Sequence, residues 1–198
     1  STEAGIVSNL PPADQLNKRN CVGLPFDSTQ ISLRNESGDE CEADEAGELF
    51  SISPYLFNGY WKNQAETDAA FLDGWVSVGD IARRDAEGYL YIIDRKKDMV
   101  ISGGTNIYPR EVENVLGQHP MILEAGVIGV PDEKSGEKVK AFIKLKAGEN
   151  ATQEEMTAFC KENMAGFKRP KNVVFGELPK TSTGKIQKFE LRMKAKEI

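Results

Sequence analysis

A single lysine near the carboxyl end stands in a loop that could carry a positive charge to a phosphate or a carboxylate. Lys185 follows small hydroxyl residues and a glycine within residues 179–186, just before a basic stretch with helical spacing. A phosphate-cradling loop of the G-x-x-x-x-G-K-[ST] type would need glycine at Pro179 and a hydroxyl residue at Ile186, so that type of loop is excluded. The lysine therefore needs another structural context.

Two further segments carry residues suited to nucleotide chemistry. Residues 74–80 are Gly-Trp-Val-Ser-Val-Gly-Asp, and residues 94–106 combine a charged run with a Gly-Gly pair. With residues 179–186 they resemble, in the same order, the motifs of the acyl-adenylate-forming enzymes, which include acyl-CoA synthetases, luciferases and peptide-synthetase adenylation domains. Residues 1–5 resemble the end of the family's Tyr-Gly-x-Thr-Glu signature. The resemblance covers the whole chain and implies a carboxyl-terminal fragment, with the family's phosphate loop and acyl pocket lying upstream.

The resemblance implies nucleotide-binding and catalytic roles for five residues. Asp80 would accept hydrogen bonds from the ribose hydroxyls, and Arg95 would contact the ribose and phosphate side of ATP. Thr2 would contact the α-phosphate and Glu3 the Mg²⁺ ion, which prefers carboxylate oxygens. Lys185 would bridge the substrate carboxylate and the α-phosphate while negative charge accumulates there. The alternative for Asp80 is an aspartate in a turn at the end of a strand, and an arginine such as Arg95, taken alone, is more often a surface residue.

The resemblance also implies a site for the thiol substrate and a hinge. Gly103 and Gly104, with Asn106 beside them, would line the tunnel for the pantetheine chain of CoA, because a missing β-carbon lets a thin ligand pass. Taken alone, the glycine pair is typical of a hairpin turn. Lys97 matches the family's hinge residue, and we expect residues 94–98 to be exposed because five charges are costly to bury without partners. A charged β-turn is the alternative.

The activity implied is an AMP-forming acid–thiol ligase with ATP, Mg²⁺ and CoA. A carboxylic acid and ATP would give an acyl-adenylate and pyrophosphate, and the CoA thiol would then displace AMP. The stand-alone fatty-acid CoA ligases are the nearest branch, with a lean to short or medium aliphatic acids, and the fragment alone is expected to be inactive. Two alternatives stay open, an adenylation domain that loads a carrier protein and a non-catalytic ligand-binding module.

Composition and charge argue against several other classes of protein. The 198 residues carry a net charge of −6, yet residues 161–198 hold ten bases and four acids, which suits either phosphate ligands or a solvated helix face. A nucleic-acid partner is not expected, because this basic end lacks interleaved aromatic residues. No apolar run is long enough for a membrane span. Three widely spaced cysteines indicate neither disulfides nor zinc and fit the cytoplasm, while a lone histidine, His119, excludes a His-dependent triad.

Hydrophobic periodicity predicts the elements that must position these residues, within an α+β fold. Strands are predicted at 29–33, 48–52, from 75, at 89–93, 122–130 and 138–146, and helices within 60–72, at 109–118 and at 152–163. Thr152 and Glu155 have the spacing of a capping box. We expect residues 1–93 to be the β-rich end of a large amino-terminal domain, residues 94–98 to be the hinge, and residues 99–198 to form a mobile α+β lid.

Overall fold

The computed structural model describes residues 1–196. The chain forms two compact units. The amino-terminal unit is Ser1–Lys97 and the carboxyl-terminal unit is Asp98–Ile198. Each unit combines strands with helices, which confirms the predicted α+β class. None of the helices in the described part of the chain is long and apolar enough to cross a lipid bilayer.

The amino-terminal unit is built on an antiparallel five-stranded sheet. Its elements are, in chain order, β1 (Ser8–Asn9), β2 (Leu24–Pro25), β3 (Gln30–Arg34), β4 (Gly47–Ile52), α1 (Gln64–Ala70), β5 (Phe71–Leu72), β6 (Trp75–Arg84) and β7 (Leu90–Arg95). β1 and β2 form a separate pair, while the large sheet has the order β3-β4-β6-β5 with β7 also paired to β6. Leu33, Leu49 and Leu90 are central to its core. The long strand β6 is therefore the element that joins most of the unit.

The carboxyl-terminal unit has a second five-stranded sheet, covered by helices. Its elements are β8 (Val100–Ser102), β9 (Thr105–Ile107), α2 (Pro109–Leu116), β10 (Ile122–Asp132), β11 (Gly136–Leu145), α3 (Gln153–Asn163), β12 (Asn172–Phe175) and α4 (Lys188–Ala195). The sheet order is β10-β11-β8-β9, and β12 pairs with β11 in parallel. All other pairs in this sheet are antiparallel.

Alternation along β11 separates two hydrophobic cores. Ala141 and Ile143 belong to the cluster that contains Met156 of α3, whereas Phe142 packs in the cluster that contains Leu191 of α4. Successive strand residues point to opposite faces of a sheet. Helices α2 and α3 therefore cover one face of the sheet, and α4 covers the other. The loop that contains Lys185 directly precedes α4 in the chain.

The amino end of α3 carries the predicted capping box. The Thr152 hydroxyl accepts a hydrogen bond from the Glu155 amide at 3.2 Å, and the Glu155 carboxylate accepts one from the Thr152 amide at 2.7 Å. At the other end, the Arg169 guanidinium donates to the carbonyl oxygens of Lys161 and Met164. Backbone groups left unpaired by the helix at both ends are satisfied in this way.

The predicted strands and helices are present with ends shifted by a few residues, but the short strands β1, β2, β5, β8, β9 and β12 were not predicted. The strands β8, β9 and β12 contain only three or four residues each. So short a run shows little periodicity, and the parallel pairing of β12 with β11 connects residues that are distant in sequence.

The expectation that all of residues 94–98 are exposed is wrong at the two ends of the run. Arg95 ends β7 and, with Lys96 and Lys97, is exposed, whereas Asp94 and Asp98 are only 5% and 9% exposed. Burial is tolerated because both carboxylates have partners. Asp94 accepts a hydrogen bond from the Arg95 amide at 2.7 Å, and Asp98 pairs with a guanidinium described below.

Candidate functional site

A carboxylate and a guanidinium stand side by side on the sheet of the amino-terminal unit. Asp80 on β6 and Arg95 on β7 are directly opposed in the antiparallel ladder, and Arg95 Nε lies 3.0 Å from Asp80 Oδ1. The Arg95 side chain is 59% exposed, while that of Asp80 is 16% exposed. The ladder thus holds an acceptor and a planar fork of donors together, which are the groups that a ribose and a phosphate require.

Glu3 is held close to the start of the chain by a short hydrogen-bond network. Its carboxylate accepts from the Ser1 hydroxyl at 2.7 Å and from the Tyr60 hydroxyl at 2.9 Å, and its carbonyl accepts from the Phe57 amide. The Ser1 hydroxyl, the Glu3 backbone amide and the Tyr60 hydroxyl hold the pKa of the Glu3 carboxyl below its usual value. Thr2 beside it is exposed. The carboxylate therefore stays ionised at neutral pH.

The Glu3 carboxylate fits a magnesium ion that is also bound by nucleotide phosphates. Mg²⁺ keeps several waters and commonly binds one or two carboxylates together with substrate phosphates. Within residues 1–196 there is no group of three or more His, Cys, Asp or Glu side chains that could hold a metal by themselves.

Tyr60, which the sequence analysis did not single out, contacts the candidate residue Glu3. Its ring contacts Phe57 edge to face at 4.9 Å, and Phe57 stacks on Phe71 at 5.4 Å. The hydrogen bond to Glu3 raises the pKa of the Tyr60 hydroxyl, so that it remains a donor. The concentration of aromatic residues around position 60 was the only hint in the sequence.

The Lys185 loop is a closed hairpin whose own backbone sets its shape. The Thr181 amide donates to the Lys185 carbonyl at 2.8 Å, the Gly184 amide donates to the Thr181 carbonyl at 2.9 Å, and the Lys185 amide donates to the Thr181 hydroxyl at 3.1 Å. Lys180 and Ile186 form the bridge at its base. Gly184 has a φ of +83°, a conformation that other L-residues adopt only with strain.

The base of this hairpin is fixed to the carboxyl-terminal unit, and its tip is not. Ile186 packs in the cluster with Leu191, next to Gly126 of β10, where an added β-carbon would lie 3.3 Å from Ile186. Lys180 pairs with Glu124 at 2.6 Å. Lys185 is exposed, and its ammonium has no hydrogen bond or ion pair with any residue in 1–196. The hairpin thus presents an exposed cation on a defined support.

Gly103 and Gly104 form the two-residue loop between β8 and β9. Ser102 pairs with Thr105 across the loop, and the glycines have φ values of +58° and +75°, as a type I′ turn requires. The hairpin that the sequence suggested is therefore present. No atom lies within 4 Å of the position that a β-carbon would take on either glycine. The half-buried Asn106 follows in β9, and the CoA-binding role of these residues stays a prediction.

The end of the charged run is attached to the last helix. Lys97 lies in a 3-10 turn, Lys96–Asp98, and Arg192 of α4 pairs with Asp98 at 2.8 Å. Lys188, at the start of α4, pairs with Glu113 at 2.9 Å. The sequence offered a solvated helix face as one explanation of this basic end. Arg192 and Lys188 do not fit that explanation, because each has an ion-pair partner. Because Arg192 and Asp98 are 94 positions apart, no local pattern could have paired them.

The candidate residues fall into two sets, one on each unit. The amino-terminal unit holds Thr2, Glu3, Asp80, Arg95 and Lys97, and the carboxyl-terminal unit holds Gly103, Gly104, Asn106 and Lys185. The amino-terminal set contains the Asp80–Arg95 pair and the hydrogen-bonded carboxylate of Glu3. The other offers a free ammonium and an open glycine hairpin.

Comparison with known proteins gives the family. The model of the AMP-binding enzyme C-terminal domain matches residues 111–185. The long-chain-fatty-acid–CoA ligase of Yersinia pestis is 44% identical over 192 residues, which cover 96% of this chain and 34% of the ligase. A ligase of the same name from Bacillus subtilis (strain 168) is 46% identical over 177 residues, covering 88% of this chain and 32% of the ligase.

A solved structure agrees with these relatives. The o-succinylbenzoate CoA synthetase (MenE) of Bacillus subtilis, in complex with ATP and a magnesium ion, is 35% identical with a TM-score of 0.81, over 96% of this chain and 38% of that one. The chain belongs to the acyl-adenylate-forming enzymes, and its residues 111–185 are an AMP-binding enzyme C-terminal domain. It spans about a third of the length of the curated ligases that it matches.

Gly184 should be required for the shape of the Lys185 loop. We expect Gly184→Ala to destabilise the hairpin by about 1–2 kcal/mol, because alanine is strained at positive φ, and so to speed hydrogen exchange at the Thr181 amide roughly five- to thirtyfold. Gly184→Asn is the matched control, since asparagine tolerates this conformation better. Equal Thr181 exchange in both variants and the parent, followed by NMR, would contradict the role of Gly184.

Proposed function

We propose that this chain is the carboxyl-terminal part of an ATP-dependent acyl-CoA synthetase. In the proposed reaction a carboxylic acid attacks ATP to give an acyl-adenylate and pyrophosphate, and the CoA thiol then displaces AMP. The observation that carries the proposal is the unattached Lys185 ammonium on a closed hairpin, within a domain of this family. Coverage of about a third of the related ligases supports a whole enzyme whose other parts supply the phosphate loop and the acyl pocket.

Asp80 and Arg95 would bind the nucleotide. The Asp80 carboxylate is suited to accept from ribose hydroxyls, and the exposed guanidinium of Arg95 is suited to donate to the ribose and phosphate oxygens. Thr2 would donate its hydroxyl to the α-phosphate, and Glu3 would hold Mg²⁺, which neutralises phosphate charge when bound. The low pKa of the Glu3 carboxyl supports this role, because the ligand must be ionised.

Lys185 would supply positive charge where the mixed anhydride forms. As a carboxylate oxygen bonds to the α-phosphorus and the bond to pyrophosphate breaks, negative charge builds on the phosphate oxygens. An ammonium that is not already paired can stabilise this charge with little reorganisation. The hairpin keeps the side chain exposed for that purpose, while the pairing of Lys180 with Glu124 keeps a second cation away.

Replacing Lys185 should affect the first half-reaction most. In the full-length enzyme, we expect Lys185→Ala to slow acyl-adenylate formation about 10²- to 10³-fold, as expected for loss of one electrostatic group. Thioester formation from preformed acyl-adenylate should fall much less. Acid-dependent pyrophosphate exchange measures the first step, and thioester formation with CoA measures the second.

The controls for Lys185→Ala test whether the effect is specific to this lysine or follows from the loss of any exposed positive charge. Lys194→Ala removes an exposed cation from α4 and should leave both steps close to the parent rate. The 198-residue chain assayed alone should show no exchange above background, because we propose that the rest of the enzyme is needed. An unchanged adenylation rate in Lys185→Ala would overturn the assignment.

The thiol step would use another part of the carboxyl-terminal unit, the β8–β9 hairpin, after rotation about Lys97. Gly103 and Gly104 would let the pantetheine chain pass, and Asn106 would offer a polar contact beside it. The open space around both glycines supports this role. Exposure of Arg95, Lys96 and Lys97, at the boundary of the two units, supports a hinge there.

A proline at the hinge should separate the two steps. We expect Lys97→Pro to abolish most thioester formation while adenylation stays within about threefold of the parent, because proline fixes φ and removes the amide hydrogen. Lys97→Ala is the control, since it removes the side chain but leaves the backbone free. Single-turnover assays of both half-reactions would show the difference. Equal loss of both steps in Lys97→Pro would mean that residue 97 is no hinge.

The acid and the acceptor are the finer parts of the proposal. The names of the Yersinia pestis and Bacillus subtilis relatives favour a long-chain fatty acid over the short or medium acid that the sequence suggested. The same names favour CoA over a carrier protein as acceptor. Three free cysteines, at positions 21, 41 and 160, support a reducing compartment such as the cytoplasm.

A further inference from the structure

The carboxyl-terminal unit contains a basic cleft that none of the proposed catalytic steps uses. It has a volume of about 670 Å³ and lies between the β10–β11 hairpin, the start of β12 and the end of α4. This volume is in the range of small-molecule sites in proteins. The charged and amide side chains that line it are Glu137, Lys138, Lys140, Asn172, Arg192 and Lys196.

Lys140 is the unusual member of this set. Its residue is only 7% exposed, yet its ammonium has no hydrogen bond or ion pair with any residue in 1–196. The one recorded contact of the ammonium is with the ring of Phe142, whose centroid lies 5.5 Å away. An aromatic face attracts a cation but supplies none of the oxygen acceptors that three ammonium hydrogens can use.

Most of the Lys140 side chain is buried while its ammonium still reaches the surface of the cleft, so only water or a ligand there can accept its hydrogen bonds. Lys138 and Lys140 are two positions apart on β11, so both side chains point to the α4 face of the sheet. The neighbouring strand places Asn172 directly opposite Lys140 in the parallel ladder. The two lysines and the amide therefore border one space.

The other charges around the cleft do not cancel that of Lys140. Lys138 lies 3.4 Å from Asp132 and Arg192 lies 2.8 Å from Asp98, so these cations are balanced. The carboxylate of Glu137 accepts a hydrogen bond from the backbone amide of Ile101 at 2.8 Å. Among residues 1–196, the unpaired charges of the lining are thus Lys140 and Lys196 against Glu137, which leaves the cleft net positive and favours an anion.

We propose that this cleft binds the phosphate group of a small molecule, with Lys140 as the principal contact and Lys138 and Asn172 beside it. A phosphate has enough oxygens to accept from both lysines and the amide at the same time, whereas a carboxylate has two. The cleft is much larger than one phosphate ion, so it can also hold an organic group attached to the phosphate. This site is separate from the Lys185 loop and does not depend on the catalytic proposal.

The test is titration of the 198-residue chain with inorganic phosphate and, separately, with glycerol 3-phosphate. Amide shifts in β11 and β12, recorded at constant ionic strength, should saturate. Lys140→Met should weaken binding of the phosphate probes about tenfold or more, because it removes a charged hydrogen-bond donor. Lys161→Met, on the exposed side of α3, is the matched control and should bind like the parent. Tighter binding of glycerol 3-phosphate than of phosphate identifies a monoester as the ligand, and the reverse identifies the free ion.

Thermal unfolding distinguishes a ligand-binding role of Lys140 from a role in stabilising the folded state. In phosphate-free buffer Lys140→Met should be at least as stable as the parent, because it replaces a mostly buried charged side chain without an ion pair among residues 1–196 by an apolar one. Phosphate should raise the unfolding midpoint of the parent and of Lys161→Met more than that of Lys140→Met. Equal midpoint shifts in all three proteins, absence of saturable binding, or loss of stability in phosphate-free Lys140→Met would each overturn the proposal.

Discussion

The proposed chemistry depends on keeping one ammonium group unpaired in a chain rich in carboxylates. The chain carries 31 acidic residues, so a lysine on a surface loop would readily find a partner. The bases that flank Lys185 do so, since Lys180 pairs with Glu124, Lys188 with Glu113 and Arg192 with Asp98. Lys185, in contrast, has no hydrogen bond or ion pair through its side chain among residues 1–196.

The same constraint explains why the loop is held mainly by its backbone. An ion pair as exposed as Lys180–Glu124 typically contributes less than about 1 kcal/mol to the free energy of unfolding. Such pairs therefore stabilise the loop only slightly. The shape of the loop comes from amide–carbonyl bonds between Thr181 and Lys185, the positive φ of Gly184 and the packing of Ile186 beside Gly126. None of these uses the Lys185 side chain. The support and the functional group are therefore separable by mutation.

How much could be predicted from the sequence differed between elements. Long periodic segments such as β10, β11 and α3 were predicted, and the capping box at Thr152 was confirmed. The strands β8, β9 and β12 were not predicted, because three or four residues carry no clear period. For the site, motif order identified Asp80, Arg95 and Lys185, but their roles stay predictions. The Tyr60–Glu3 and Arg192–Asp98 contacts and the acceptor-free Lys140 depend on long-range packing, which no local pattern encodes.

The central claim is that charge at residue 185 drives adenylation, and chemical rescue tests it most directly. Full-length enzyme with Lys185→Cys, alkylated to an aminoethyl thioether, regains an ammonium at nearly the lysine length, whereas carbamidomethylation gives a neutral side chain. Parent enzyme treated in the same way controls for the native cysteines, of which Cys41 and Cys160 are buried. Our account predicts that aminoethylation restores most pyrophosphate exchange and carbamidomethylation restores none. Equal recovery with both reagents, or none with either, would contradict it.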